Sequence, residues 1–438
     1  MENRKIAVVG FGYIGSVIGS VLADRGYTVM GVEPNQRIVD AIAQGRSPFA
    51  EPGLEELVKK GREAGRLFVG KDPSVVADCK TIVITVGTPL SGDHDPDLSQ
   101  IRAAAEMIAP YVCHGALVML KSTVPPNTTE GVVGQVLADK KVELAFCPER
   151  LAEGKAIGEF TAIPVVVGGV TESATKRAAA FWREALGVEV IEVGNARAAE
   201  MVKLADNLWI DLNIALAGEL AKVADRLNID VLDVIRAANS LPKGTGNVNI
   251  LIPSVGVGGY CLTKDPWFVH RLGKNLGLEL LIPPASRNVN DSMPTYSVEL
   301  IKSFLQGRGK PTAKTKVAVM GIAFKNNTGD CRFTPTKPVI EALQAEGYVL
   351  QICDPWVEEH DIQLVTELPV SKDVEDTIRD ADCVAFLAGH KQFHDIPIKQ
   401  IVELANPGAL IFDGRMFFSK EKIREMESVG LHYKGVGR

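Results

Sequence analysis

The chain has little that would fasten it to a membrane, a metal or a nucleic acid. No uninterrupted apolar run in its 438 residues reaches the roughly 20 that a membrane helix needs, and the most apolar stretch, Leu208 to Ala221, is broken by Asp211 and Glu219. Cysteine is scarce: seven residues, an odd number with no CxxC pair, which fits reduced thiols rather than a disulfide framework or a zinc site. The seven histidines are dispersed, and no metal is expected. There is no excess of positive charge. With 48 Lys and Arg against 54 Asp and Glu the formal net charge is −6, which argues against a nucleic-acid partner. The N-terminal run Met1-Glu2-Asn3-Arg4-Lys5 has neither the apolar segment nor the cleavage site of a signal peptide and leads into a strand. These absences predict a cytoplasmic protein with no membrane contact. Hydrophobic residues make up 46% of the chain, enough for several cores, and the length suggests about three domains.

What is present begins at Lys5-Ile6-Ala7-Val8-Val9, which reads as a buried strand and runs into Gly10-Phe11-Gly12-Tyr13-Ile14-Gly15. This is the GxGxxG spacing, followed by a helix predicted from Ser16 to Arg25. In the dinucleotide fingerprint the first glycine makes a tight turn, the second admits the pyrophosphate, and the third packs helix on strand. A second strand, Tyr27 to Val32, ends at Glu33, near the offset at which an acid binds ribose hydroxyls. An acid there would repel a 2′-phosphate, so NAD is expected rather than NADP.

Short apolar runs suited to buried parallel strands recur at Thr81 to Val86, Leu117 to Leu120, Glu143 to Phe146, Pro164 to Val167 and Val188 to Val193, and helical stretches alternate with most of them. From Ala196 to about Leu227 the apolar residues keep helical spacing, interrupted only by Gly218, which predicts a long connecting helix. Strands resume at Lys316 to Gly321, Tyr348 to Cys353, Cys383 to Leu387 and Ala409 to Phe412. The two α/β parts look like distant copies: Lys5 to Gly10 echoes Lys316 to Gly321, and Asp78-Cys79 echoes Asp382-Cys383. The second copy lacks the glycine fingerprint and is read as holding a nucleotide-like ligand other than NAD, or none. The fold class is therefore α/β, with two Rossmann-like, doubly wound parallel-sheet domains joined by a central helical domain with a long helix.

A thiol stands out in Gly256-Val257-Gly258-Gly259-Tyr260-Cys261-Leu262-Thr263-Lys264-Asp265. Glycines let a backbone approach a ligand, and a nearby lysine favours the thiolate, so Cys261 reads either as a nucleophile or as a small buried cysteine in a turn. Three other clusters bear on chemistry. Lys121-Ser122-Thr123-Val124-Pro125 places hydroxyls at a strand's C-terminal end. Cys147 to Glu153 carries Glu149 and Glu153 four residues apart, a spacing usual for a solvated face. Glu200, Lys203, Asn207 and Asp211 share one stripe of the long helix, which taken alone reads as solvent-facing.

Together these segments, with Val86-Gly87-Thr88-Pro89 and Gly321 to Arg332, resemble the nucleoside-diphosphate-sugar 6-dehydrogenases, the UDP-glucose/GDP-mannose dehydrogenase family, over essentially the whole chain. The resemblance implies domains at 1–195 (NAD-binding), 196–310 (central, helical, carrying the cysteine loop) and 311–438 (UDP-sugar-binding). It also implies NAD as cofactor, a UDP-sugar substrate and a homodimer formed through the long helix, with Trp209 in the contact. The implied reaction oxidises the sugar C6 hydroxyl to a carboxylate in two hydride transfers through a thioester on Cys261. Carried over by position, the catalytic residues are Cys261, Lys203, Asn207, Asp265, Glu153 and Thr123. Gly10, Gly12, Tyr13, Ile14, Gly15, Glu33, Thr88, Thr123 and Arg332 are expected at the cofactor. Glu149, Arg150, Leu151, Glu153, Lys203, Asn207, Gly258, Tyr260, Lys264 and Lys325 are expected at the substrate. Val248 to Leu251 and Asp265 to Phe268 resemble the UDP-N-acetylmannosamine enzymes, whereas Gly259 to Leu262 with Lys264-Asp265 resembles the UDP-glucose enzymes.

Overall fold

A computed structural model describes residues 4–92, 94–310 and 312–438. The run Met1 to Asn3 and Pro311, where the third domain is expected to begin, lie outside the described residues. The chain divides into two compact units, one formed by the chain up to Asp206 with Trp267–Leu278, the other by Asn207–Pro266 with Glu279–Arg438.

The first unit is built on eight strands: β1 (Lys5–Val9), β2 (Thr28–Val32), β3 (Leu67–Gly70), β4 (Thr81–Ile84), β5 (Leu117–Leu120), β6 (Glu143–Phe146), β7 (Val165–Gly169) and β8 (Val190–Glu192). Their order is β3-β2-β1-β4-β5-β6-β7-β8. Side chains alternate across the sheet: Ile6 and Val8 of β1 enter one core with Phe11, Ile18 and Trp182, while Ala7 and Val9 enter another with Ile101 and Val118. Both faces are therefore covered, which is why the strands are continuous apolar runs rather than alternating ones. One expectation needs correction. The run at Pro164 to Val167 is a strand but not a parallel neighbour of β6. Ala145 pairs antiparallel with Gly169, and β7 is parallel only to β8.

The second unit takes in the rest of the long helix from Asn207 and the helix Val231–Ala238, followed by a small hairpin, β9 (Pro242–Lys243) and β10 (Gly246–Asn247). Its main sheet has β11 (Lys316–Met320), β12 (Val349–Cys353), β13 (Val370–Ser371), β14 (Cys383–Phe386), β15 (Leu410–Asp413) and β16 (His432–Gly435), all parallel, in the order β13-β12-β11-β14-β15-β16. In each unit the first strand of the sheet lies between the second and the next to cross over, β1 between β2 and β4, β11 between β12 and β14. That reversal of strand order is the switch point beside whose carboxyl ends open α/β sheets bind ligands. The long helix runs from Ala196 to Leu227, as its periodicity predicts. Gly218 is its one glycine, and a Cβ there would stand 3.1 Å from the Met293 sulfur, so the helix Ile282–Gly307 can approach closely. Among the described residues no helix is long and apolar enough to cross a membrane.

Candidate active site

The turn after β1 distributes its glycines as a dinucleotide site requires. Gly10 has φ +86° and donates to the Val32 carbonyl at 2.8 Å, and a Cβ on it would meet the Thr85 oxygen at 2.9 Å. A Cβ on Gly15 would lie 2.1 Å from the Gly10 carbonyl, so backbone fills that space. At Gly12 a Cβ would meet nothing within 4 Å, and Gly12 caps the helix Tyr13–Asp24 with no side-chain hydrogen bond. The open face thus lies over unsatisfied helix amides, where a phosphate is favoured. Glu33 is buried at the end of β2 and accepts from the amides of Phe11 at 2.7 Å and Asn35 at 2.8 Å. Its oxygens have further lone pairs for ribose hydroxyls. These residues fit NAD. Tyr13 and Ile14 open the helix, and the Tyr13 hydroxyl bonds to Glu51, which also accepts from the Gly154 amide at 2.6 Å. Burial, reinforced by that hydrogen bond, pushes the Tyr13 phenol well above its ordinary pKa. Glu51 carries no motif, so nothing in the sequence singles it out.

At the ends of β4 and β5, Thr88 donates its hydroxyl proton to the Thr123 carbonyl at 2.7 Å, which ties two of the expected cofactor residues together. After β6 the chain is strapped to the long helix. Lys203 Nζ stands 3.6 Å from Glu149 Oε2 with both side chains about nine-tenths buried, and Arg150 Nε donates to Asp206 at 2.9 Å. Glu149 also accepts from the Leu151 amide. Below this loop Lys121 is buried, donating to the carbonyls of Cys147 at 3.2 Å and Pro148 at 3.4 Å, with its ammonium 5.0 Å from the Trp182 ring centroid. Burial lowers the Lys121 pKa and raises that of Cys147 to about 11. The sequence offered Lys121 only as part of a hydroxyl-bearing motif, so its anchoring of the Glu149 loop is new.

Two readings of isolated patterns are corrected here. Glu149 is buried and Glu153 half-buried, so the pair is not a solvated face. All four stripe residues of the long helix are buried as well, at 0, 5, 5 and 0% exposure for Glu200, Lys203, Asn207 and Asp211. The middle two bond to other expected site residues, Lys203 to Glu149 and Asn207 to Asp265. Glu200 accepts from the amides of Asn127 and Thr129 and from the Thr129 hydroxyl, all within 2.7 Å. In the second unit Asp211 is taken by Arg287 at 2.6 Å, Ser286 at 2.7 Å and Asn290 at 2.8 Å.

The cysteine segment belongs to the second unit. Cys261 is exposed, whereas the other six cysteines are buried or half-buried, so the reading of Cys261 as a small core residue fails. Its carbonyl accepts from the amides of Lys264 at 3.1 Å and Asp265 at 2.9 Å, a turn that opens the helix Asp265–Asn275. Asp265 is fully buried. One of its oxygens accepts from Lys264 Nζ at 2.6 Å and the other from the Asn207 amide, so three expected site residues form one network. Lys264 also lies over the Tyr260 ring, 5.2 Å from its centroid. The glycines act differently from the expectation of an open approach to a ligand. A Cβ on Gly258 would stand 2.5 Å from that of Phe324, and one on Gly259 2.7 Å from the Phe324 ring. They let the cysteine loop press against the segment after β11. Gly259 further donates to the Arg332 carbonyl at 3.1 Å. Arg332 is paired in a fork with Asp330 and lies 5.9 Å from the Tyr260 ring, while Lys325 sits in the loop between Phe324 and Asn326.

A Rossmann-like NAD site and a cysteine loop on a second parallel-sheet unit define a dinucleotide-dependent oxidoreductase, and comparison with known proteins narrows the class. The NAD binding domain of the UDP-glucose/GDP-mannose dehydrogenase family matches residues 4–186, its central domain 197–292 and its UDP binding domain 318–420. The chain is 35% identical to the UDP-N-acetyl-D-mannosamine dehydrogenase of Methanococcus vannielii, over 92% of this chain and 90% of the relative. It is 36% identical to the protein of that name from Salmonella typhi, over 91% and 96%. Among solved structures, the UDP-D-ManNAc dehydrogenase of Pyrococcus horikoshii superposes with a TM-score of 0.88 at 30% identity over 99% of both chains. The UDP-glucose dehydrogenase of Pyrobaculum islandicum gives 0.87 at 30% identity, over 99% of this chain and 97% of that one. The chain belongs to the UDP-glucose/GDP-mannose dehydrogenase family and is an NAD-dependent oxidoreductase.

Proposed function

We propose that the protein oxidises the C6 hydroxyl of a UDP-hexose to the uronate with two equivalents of NAD, through a thioester on Cys261. The observation that carries this reading is the placement of Cys261. Among the described residues it is the one exposed thiol, and it lies one turn before a buried carboxylate held by Lys264 and Asn207. NAD held by the glycine turn and Glu33 would supply the hydride acceptor for each oxidation. In the first, the hydroxyl proton passes to a water held by Asp265 and Thr123, leaving an aldehyde. The Cys261 thiolate adds to its carbon, forming the C–S bond as the carbonyl electron pair moves onto oxygen; Lys203 and Asn207 face this oxyanion, which takes a proton back from the held water to give the thiohemiacetal. Loss of the second hydride and of the hydroxyl proton gives the thioester. Water activated by Glu153 attacks the acyl carbon, the C–S bond breaks, and the thiolate leaves with the carboxylate formed. Glu149, Arg150, Leu151, Gly258, Tyr260, Lys264 and Lys325 line the sugar and its diphosphate, and Arg332 serves the phosphates.

UDP-N-acetylmannosamine is the favoured sugar, because relatives 35 and 36% identical to the chain over most of its length bear its name. Incubation with UDP-N-acetylmannosamine, UDP-glucose and GDP-mannose, with reduced cofactor read by absorbance and product by mass, tests the reading. Two reduced cofactors per sugar and a uronate mass are expected. A ratio of one overturns the four-electron reaction, and turnover of UDP-glucose alone overturns the choice of sugar.

The working form is a homodimer. Trp209, Leu212, Leu216, Val223 and Leu227 are exposed by 38 to 62% and recur at helical spacing on the long helix, an apolar stripe suited to a second copy of itself. We place the reaction in the cytoplasm, in keeping with seven cysteines that form no disulfide among the described residues.

A further inference from the structure

The turn after β11 repeats the turn after β1 bond for bond, and then departs from it. Gly321 donates to the Cys353 carbonyl at 2.7 Å as Gly10 does to Val32. Asp354, at the end of β12, accepts from the amides of Ile322 at 2.7 Å and Trp356 at 2.8 Å, as Glu33 accepts from Phe11 and Asn35. Asp354 therefore stands where the first unit keeps its ribose-binding acid. Here, however, the carboxylate is closed. It accepts also from the amides of Ala323 at 3.0 Å and Val357 at 3.1 Å, and from His390 Nε2 at 3.2 Å, and both Asp354 and His390 are 0% exposed.

The second ring nitrogen of His390 fixes the tautomer. Asn327 N–H donates to Nδ1 at 2.8 Å, so Nδ1 carries no proton and Nε2–H points at Asp354. His390 thereby joins the sealed acid to the loop that carries Lys325. The same loop is sewn to its neighbour after β14 by Gly389 N–H to Asn326 Oδ1 at 2.8 Å and Lys391 N–H to Asn327 Oδ1 at 2.7 Å. Asn327 is held at φ +57°, a conformation that costs energy unless such bonds enforce it. His390 and His394 stand four residues apart, the spacing of a zinc-binding helix, but both nitrogens of His390 are already engaged.

We propose that His390 is a positioning residue for the nucleoside diphosphate: its ring, bonded to Asp354 and to the Asn327 amide at the switch point of the second sheet, fixes the loop that presents Lys325 to the diphosphate. The inference rests on the reading that the second unit holds the UDP part of the substrate. It adds that the duplicated acid has become a peg for the loop.

Calorimetric titration of the full-length protein with UDP, and separately with NAD, tests it on wild type, His390→Phe and His390→Gln. Phenylalanine keeps a ring against Trp356 and Phe393 but has no polar atom, whereas glutamine can both donate and accept. His390→Phe is expected to weaken UDP about five- to tenfold, with NAD affinity unchanged, and His390→Gln to restore most of the loss. If the phenylalanine variant does not fold, His390→Ala with and without added imidazole makes the comparison, and imidazole should restore UDP binding. UDP affinity equal to wild type in folded His390→Phe overturns the proposal, as do a parallel loss of NAD affinity or no recovery with glutamine or imidazole. Wild type that binds no UDP overturns the underlying reading and this inference with it, an outcome distinct from a variant that binds as wild type does.

Discussion

Cys261 differs from every other thiol in the chain by its surroundings. Burial pushes Cys79 and Cys147 up to about 11 and Cys331 and Cys353 up to about 12, so at neutral pH these stay protonated and inert, whereas Cys261 lies at the surface. A thiol alkylating agent should label Cys261 first, as peptide mapping would register. Cys261→Ser is expected to fold as wild type and to lower uronate formation about a thousandfold or more, measured by product mass, because oxygen in place of sulfur is a poor leaving group from the acyl intermediate. The residue identities at the glycine turn, at Cys261 and at Lys203 with Asn207 were legible in the sequence. Their environments were not. Whether Glu200 faces water or two backbone amides depends on a loop seventy residues away, and a run of polar residues looks the same in either case.

At the scale of the element, the strand–turn–helix from Lys5 to Asp24 is set by its glycines, and they should fail in different ways. Gly12 has open space where its side chain would stand, so Gly12→Ala is expected to leave the melting temperature unchanged and to weaken NAD about tenfold or more by calorimetry. Gly15→Ala meets a backbone carbonyl and should destabilise the unit itself. The turn after β11 supplies a pH test. Burial alone would raise the Asp354 carboxyl, but hydrogen bonds from His390 and from the Trp356 and Ile322 amides outweigh it and hold the group below its ordinary value. A depressed carboxylate contributes stability that is present above its unfolded value of about 3.9 and is lost as pH falls through the folded value. In urea unfolding, the gap between wild type and Asp354→Asn should therefore be widest above about pH 4 and close on further acidification. Most strands and the long helix could be read from periodicity. Short edge strands such as Val370–Ser371 could not, since two residues carry no period, and the reversed pairing of β6 with β7 leaves no trace in either run.

For the whole molecule, the sequence revealed a duplicated α/β plan because the succession of strands along the chain and their turn chemistry are local, whereas assembly is not. The stripe of Trp209, Leu212, Leu216, Val223 and Leu227 was visible only as helical spacing, equally compatible with packing inside one chain. The structure leaves these side chains 38 to 62% exposed. Light scattering is expected to give twice the mass of one chain, and Leu216→Glu, which sets a charge in the middle of the stripe, should give one chain mass with secondary structure intact by circular dichroism. A monomeric wild type would rule out the dimer.

Trp182 is the most enclosed of the four tryptophans, at 0% exposure, and its indole faces the Lys121 ammonium on one side while donating Nε1–H to the Cys147 sulfur at 3.3 Å. A positive charge held against an indole perturbs its excited state, and burial has made that charge easier to remove than on a surface lysine. The chain thus carries an intrinsic optical gauge under the loop that bears Glu149, one whose emission should change with pH as the amine discharges, at a lower pH than a surface lysine would, and should lose that inflection in Lys121→Met.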